Sequence, residues 1–418
     1  MSNKGHYGSL FAFACFVAVL AHQQSGHEAY SHVTWFLAGW FALLLAAALL
    51  GARSTGEIKL HPALVFVCFL PFVGSEPLFE NDQYRYLWEG KVLSAGHNPW
   101  TEAPASERLD GIDFPQRELV GFNKLTSPYS PLAVFYHALF SGLAYPEALV
   151  LLQLVNAVLG AWVVFLLPPL RPVYVVGLAG LIGKEFVQSV HIDLLVWIFL
   201  LFAMRFQEKA SLLKAGLCFC LSALLKVNIL LTAPWFVAVA YRRARFKGVL
   251  LWTGVLGVSI GANVLGPLNG QQASGLTAFL QHWVWHSALL DLWQYTGEEI
   301  TSGIRLANIF WGLGLCVLGV LALIHRCSGL RWSTALFTLT AFCRPAFNAW
   351  YSPWFALNGA MAGEKWPLIY GLLSPLAYVK YADPAQMVLS LIIVTTHAPA
   401  VIYFYNESKK WIIQNNRC

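Results

Sequence analysis

Hydrophobic positions in this chain come in long blocks rather than in alternation. Apolar segments lie at about 9–21, 33–51, 62–74, 131–145, 148–167, 173–183, 194–206, 211–225, 227–240, 248–266, 303–324, 332–343, 346–362, 366–379 and 385–404. Blocks of this kind, nearly free of charge, predict helices immersed in a bilayer. Several fall short of the ~20 residues that a perpendicular span needs, so half-helices, tilted pieces or re-entrant pieces are expected. The expected fold is an all-α polytopic membrane protein with about 11–14 membrane segments. No soluble domain is appended and no repeat is visible, so 1–418 reads as a single transmembrane domain. The first segment follows Lys4 and ends near Ala18 and Ala21. It is expected to be a first span, with a cleaved signal peptide as the alternative.

Composition agrees with this pattern. Of 418 residues, 57% are hydrophobic and 11% charged, against about 25% charged in an average soluble domain. So few charges cannot wet the surface of a soluble chain of this length. A soluble enzyme, a nucleic-acid binder, a disordered protein and a disulfide scaffold are excluded. Most of the eight cysteines sit inside apolar runs, where packing is the expected role. Membrane lipids are the expected surroundings.

Basic residues assign sides. Arg53 and Lys59, Arg205 with Lys209 and Lys214, the run Arg242, Arg243, Arg245 and Lys247, the group His325, Arg326 and Arg331, and the tail residues Lys409, Lys410 and Arg417 mark inside loops. A hairpin turn is expected near Lys226. Between 131 and 193 the alternation does not close, so one of the three segments there is expected not to cross. The polar stretches 76–130 and 267–300 fall outside.

The 76–130 stretch holds nine of the 21 acidic residues. It begins FENDQYRYLWEGKVLSAGHNPW. An amphipathic helix is predicted over 82–95, with Asn81 or Asp82 as N-cap and Gly96 as stop. Asp82, Tyr86 and Glu89 then share one face. The helix dipole favours an ionised Asp82. Such a carboxylate could act as a general base; equally, it could only cap the helix and pair with Arg85.

DQYRYLWEG, GHNPW and SPYSPLAVFYHALF resemble the first external loop of the GT-C glycosyltransferases. The nearest likeness is to glycosyltransferase family 87 and related polyprenyl-phosphate-mannose-dependent mannosyltransferases. Asp82, Tyr84, Arg85, Tyr86, Trp88, Glu89 and Gly90 match the helix motif; Asn98 and Pro99 match its turn; Tyr129, Pro131 and Leu132 match the element opening the next span. KEFVQSVHID (184–193), LLKVNILLTAPW (224–235) and AFNAWYSPWF (346–355) follow in the family's order, the last more loosely. The likeness covers about residues 76–360 and implies a GT-C helical fold whose long external loop carries juxtamembrane helices.

It further implies that Asp82 is the catalytic carboxylate. Asp82 would deprotonate or orient the acceptor hydroxyl as polyprenyl phosphate leaves from the opposite face, inverting the anomeric centre. No cofactor is implied, only a polyprenyl-phosphate-linked sugar as donor and a lipid or glycan acceptor. The leaving phosphate needs cations, and Arg85, Lys226, Arg305 and Arg344 are the candidates. Arg305 and Arg344 could equally snorkel at the interface.

Glu185, His191 and Asp193 are ionisable groups inside an apolar stretch, beside Lys184. Such groups either bind substrate or hold helices together. An i, i+2 spacing cannot put His191 and Asp193 on one helix face, so a joint site needs a break there. Tyr86 and Glu89 complete the expected substrate-binding set. His282 and His286 stand i, i+4 without an evident third ligand, and Asp82 lacks the second acid of a strict DxD, so no metal site is expected.

Two function classes follow. The first is an inverting, metal-independent hexosyltransferase, mannose favoured, in a bacterial inner membrane with its site facing the periplasm. The alternative, a secondary transporter or flippase of lipid-linked sugars, predicts paired similar halves. None is visible.

Overall fold

The computed structural model describes residues 29–52, 57–267, 274–282, 293, 299–343 and 351–381. The segments 9–21 and 385–404, most of the 267–300 loop, the basic tail and Arg344 lie outside the described residues. Every described element is helical, apart from an antiparallel bridge between Ile58 and Leu170. Three helical stretches are long and apolar enough to cross a membrane: Tyr145–Leu166, Val227–Val264 and Thr301–Ile324. The pair Pro172–Gln188 and Asp193–Glu208 passes the same test only jointly and is bent by 119°, as a broken span or a re-entrant loop is. Phe36–Leu49, Pro62–Phe72 and Leu212–Leu225 are shorter apolar helices. The described residues thus hold fewer full-length spans than the eleven to fourteen segments expected, because many arms are short.

The unclosed alternation between 131 and 193 has a geometric answer. The helix opening at Pro131 ends at Ala138; eight residues rise only about 12 Å, far too little to cross. It lies instead against the Asp82–Ser94 helix. Gly90 permits this contact, because a Cβ there would stand 2.7 Å from the His137 carbonyl carbon. The 131–145 segment is therefore the one that does not cross. Tyr145–Leu166 then runs antiparallel to the Pro172–Gln188 arm, as shown by Asn156 donating to the Phe186 carbonyl at 2.7 Å and Gln153 to that of Gln188 at 3.1 Å.

Val227–Val264 is not one straight rod. Its backbone leaves the helical region at Arg245, with φ 49° and ψ −134°. In a straight helix Ala240 and Gly248 would lie about 12 Å apart. A Cβ on Gly248 would instead fall 2.4 Å from the Ala240 carbonyl oxygen. Phe236 and Trp252 face each other with ring centroids 4.7 Å apart. The chain therefore folds back, and Arg242, Arg243, Arg245 and Lys247 sit at the tip, where the sequence places an inside loop.

Three of the expected inside loops meet at this end. Arg243 donates to the Glu208 carbonyl, Arg242 to that of Ala322 at 2.5 Å, and the Gly329 amide to the Glu208 side chain at 2.9 Å. Buried polar links join the helices between the two ends. Trp197 donates to Asn358 at 3.0 Å, Asn358 to Ser333 at 2.6 Å, and Ser222 to the Val196 carbonyl at 2.8 Å. Such bonds fix helix neighbours where lipid supplies no hydrophobic drive between them.

The external loop has a small core of its own. Leu87, Trp88, Val92, Leu109, Phe114 and Val120 pack over Leu149, Leu152 and Val190. Arg117 crosses above Trp88 and holds Asp110 at 2.8 Å and the Pro104 and Ser106 carbonyls at 2.8 Å each. The Asn98 side chain accepts from the Trp100 amide at 2.9 Å, closing the turn around Pro99.

Candidate active site

The helix motif forms Asp82–Ser94, one residue short of the expected end, and Gly96 stops it with φ 82°. Asn81 occupies the N-cap without a side-chain cap bond. Asp82 is the first helical residue and is half-buried. The Asp82 carboxyl is pushed up to about 7. Burial is the largest cause, with Glu80 and Glu89 adding to it and Arg85 and Lys226 opposing it. The dipole at the helix start is thus outweighed, and Asp82 is poised near neutrality, where a general base works best.

Arg85 does not pair with Asp82. Its Nε donates to Glu89 Oε1 at 2.7 Å, and its two Nη groups donate to the carbonyls of Gly121, Phe122, Leu125 and Thr126 at 2.9, 3.1, 2.7 and 2.9 Å. All five N–H directions of a guanidinium are thus engaged. Glu89 also accepts from the Ser127 hydroxyl. Arg85 and Glu89, expected to bind substrate, together bolt the end of the loop to its helix. Tyr86 is buried, stacked on His137 at 4.8 Å, edge-on to Tyr129 at 5.0 Å and edge-on to His191 at 6.1 Å.

The break that a joint His191–Asp193 site requires is present. A π-helical turn, Ile182–Gln188, ends the incoming arm. The outgoing helix starts at Asp193, and the two arms differ in direction by 119°. Val190, between them, has φ 51°. For a β-branched residue this is a true outlier. Strain of about 1–3 kcal/mol at one residue persists only where its surroundings impose it.

This break sends the two residues to different partners. His191 Nε2 lies 2.8 Å from Glu80 Oε2. Asp193 Oδ1 accepts from Lys226 Nζ at 2.5 Å and from Trp354 Nε1 at 3.1 Å. Lys226 is extended backbone between the Leu212–Leu225 helix and a 3-10 turn, as the expected hairpin requires. Its ammonium lies 4.4 Å above the Tyr351 ring and keeps 20% of its side chain exposed. The elements 184–193, 224–235 and 346–355, far apart in sequence, therefore converge beside Asp82.

Glu185 takes a third position. It is buried at 1% exposure and bound by Lys184 at 3.4 Å and by the Tyr378 hydroxyl at 2.9 Å. Arg305 is exposed near the start of Ile300–Ile324, and no described hydrogen bond or ion pair links it to this network. Arg344 and His286 lie outside the described residues, as does the side chain of His282. Trp293 donates to the Glu299 carbonyl at 3.3 Å. Among the described residues, no three His, Cys, Asp or Glu side chains gather in a way that could hold a metal ion.

Glu80 and Tyr378 were not singled out by sequence, and Tyr351 and Trp354 entered only as part of the loosely matched AFNAWYSPWF element. Glu80 was one acid among nine in its loop. The two tyrosines and the tryptophan sit in apolar segments, where only the fold separates a hydrogen-bonding ring from a packing one.

A carboxylate near neutrality at a loop-helix N-terminus, beside a lysine that interrupts an apolar hairpin in a bundle of apolar helices, suits a membrane transferase of the GT-C class. Residues 9–242, more than half of the chain, match the MptA/B family, alpha-(1->6)-mannopyranosyltransferase, N-terminal domain, and the chain belongs to that family. It is a multi-pass membrane mannosyltransferase that draws on a polyprenyl-phosphate mannose donor and a glycan acceptor, not a transporter. No curated protein and no solved structure matches it.

Proposed function

We propose that Asp82 is the general base of mannosyl transfer and that Lys226 meets the donor phosphate, with the site opening on the outer face of a bacterial inner membrane. The observation that carries this reading is that Asp82 lies within electrostatic reach of Lys226, whose charge lowers the carboxyl's proton affinity against burial. One is a half-buried carboxylate near its proton affinity at neutral pH. The other is a part-exposed ammonium held in place by Asp193 and Tyr351.

The acceptor hydroxyl loses its proton to Asp82 as its oxygen attacks the anomeric carbon. The bond from that carbon to the phosphate oxygen breaks, and the electron pair leaves with polyprenyl phosphate. The charge gathering on that phosphate is what Lys226 offsets. Attack from the face opposite the leaving group inverts the centre, so an α-linked product requires a β-linked donor. Asp193 then keeps the ammonium aimed while the site is empty. Arg305 and Arg344 are further candidates for the phosphate, and His191 and Glu185 for the sugar. Arg85 and Glu89 serve by holding the loop.

Purified protein supplied with radiolabelled polyprenyl-phosphate mannose and an alkyl α-(1→6)-dimannoside tests this. Asp82→Asn should fold in the membrane and lose transfer by about 10²–10⁴-fold. Transfer at the wild-type rate would remove Asp82 from the chemistry.

A further inference from the structure

Glu80 stands two residues before Asp82, with its side chain 4% exposed. Its oxygens meet three distant parts of the chain. The Tyr378 hydroxyl lies 2.6 Å from Oε1, Lys184 Nζ donates to Oε1 at 3.4 Å, and His191 Nε2 lies 2.8 Å from Oε2. The same lysine donates to Ser189 and to Tyr378 at 3.1 Å each, and to Glu185 at 3.4 Å. The Tyr378 hydroxyl also lies 2.9 Å from Glu185 Oε1, and its one proton can serve only one carboxylate at a time. Two buried carboxyl groups thus share one ammonium, next to the reacting centre.

The backbone supports a deliberate contact. Phe79 and Val190, the residues immediately before Glu80 and His191, have φ values of 69° and 51°. Both ends of the Glu80–His191 contact are thus presented by residues in the left-handed region, which non-glycine residues avoid. Phe79 is held there by ring contacts with Tyr378 at 4.9 Å and Phe36 at 5.4 Å.

We propose that Glu80 is a positioning residue for mannosyl transfer: clasped by Tyr378, Lys184 and His191, it locks the start of the external loop onto the broken helix and holds a negative charge beside Asp82. This inference rests on Asp82 being the base. The charged and titratable groups that face Asp82 are Glu80, Arg85, Tyr86 and Glu89 on its own segment, Tyr129 across the loop, Lys226 at the hairpin turn and Tyr351 beside it. Among them Glu80 is the strongest force keeping the proton on Asp82, and Arg85 and Lys226 pull the other way. Without the Glu80 charge burial still holds Asp82 up, but the largest charge opposing those two cations is gone, and the base titrates at lower pH.

The test is the pH dependence of kcat/KM for transfer from polyprenyl-phosphate mannose to an alkyl α-(1→6)-dimannoside by the full-length protein in nanodiscs. Glu80→Gln keeps the shape and removes the charge. Its acid limb should move down by about one pH unit. A limb that stays in place overturns the proposal, whether the rate falls or not, since a merely structural glutamate would leave it there. Should Glu80→Gln fail to accumulate, Glu80→Asp decides. It keeps the charge but draws the carboxylate out of its clasp, so an unmoved limb with kcat at least about tenfold lower supports the proposal, and a wild-type kcat overturns it. Asp82→Asn is run alongside. If it still transfers mannose, the base assignment has failed and the proposal falls with it. If it is inactive while Glu80→Gln behaves as wild type, only the Glu80 role has failed.

Discussion

The two ends of this helix bundle use charge in opposite ways. At the end formed by residues 208, 242–247 and 322–331, arginines reach backbone carbonyls at helix ends and remain largely exposed. At the other end Glu80, Lys184, Glu185, His191 and Asp193 are buried and bound mainly to one another. The first arrangement caps carbonyls that a helix end leaves open, and water shares the load. The second costs several kcal/mol per ion in desolvation and is tolerated only with close partners. That concentration of cost at one end is what supports the proposal that the chemistry lies there.

The contrast is sharpest in Asp82 itself. A base with a proton affinity near 7 must be ionised to accept the acceptor proton. Activity should therefore rise with pH and level off above about 7, falling tenfold for each unit below it, or about 100-fold two units down. A kcat/KM profile that stays flat from pH 5 to pH 8 would break the comparison, because Asp82 would then behave like an exposed carboxylate.

Lys226→Met comes next. It leaves Asp193 buried beside Trp354 without its cation, so a loss of about 3–5 kcal/mol in stability is expected, with a higher KM for donor. Adding Asp193→Asn should recover much of the stability in a thermal melt but not the donor affinity. Recovery of both would make the pair purely structural.

Gly90→Ala tests the loop that carries Asp82. Its Cβ would meet the backbone at His137 and Ala138, 2.7 and 2.8 Å away, which cannot yield as a side chain could. A cost of about 1–3 kcal/mol is expected, together with lower kcat, and a variant as stable and as active as wild type would show that the two helices separate freely.

Arg242→Ala, at the opposite end, should change stability by about 0.5–1.5 kcal/mol and leave the pH profile as it was. A shifted profile would mean that the two ends are coupled.

Much of the site can be read along the chain. The DQYRYLWEG helix forms where its capping positions and Gly96 put it. Lys226 sits at a hairpin turn, as the basic loops on either side of 211–240 imply. The i, i+2 spacing of His191 and Asp193 implies a broken helix, and the break is there. Other features follow from no local rule. Arg85 sits beside Asp82 in sequence, yet its fork reaches carbonyls some 40 residues on. Glu80 looks like any acid of its loop until Tyr378, 298 residues away, lies 2.6 Å from it.

Sequence by itself determined that the protein lives in lipid, how its basic residues sort into short loops, and that nine of its 21 acids gather in the 76–130 stretch. Those properties are sums over local composition, and a bilayer filters composition directly. Tertiary structure decided which charges are spent and which stay open. Burial and partner geometry depend on which helix faces which, and that is set by close contacts such as Gly90 on His137 and Ala240 on Gly248, not by any residue's own character.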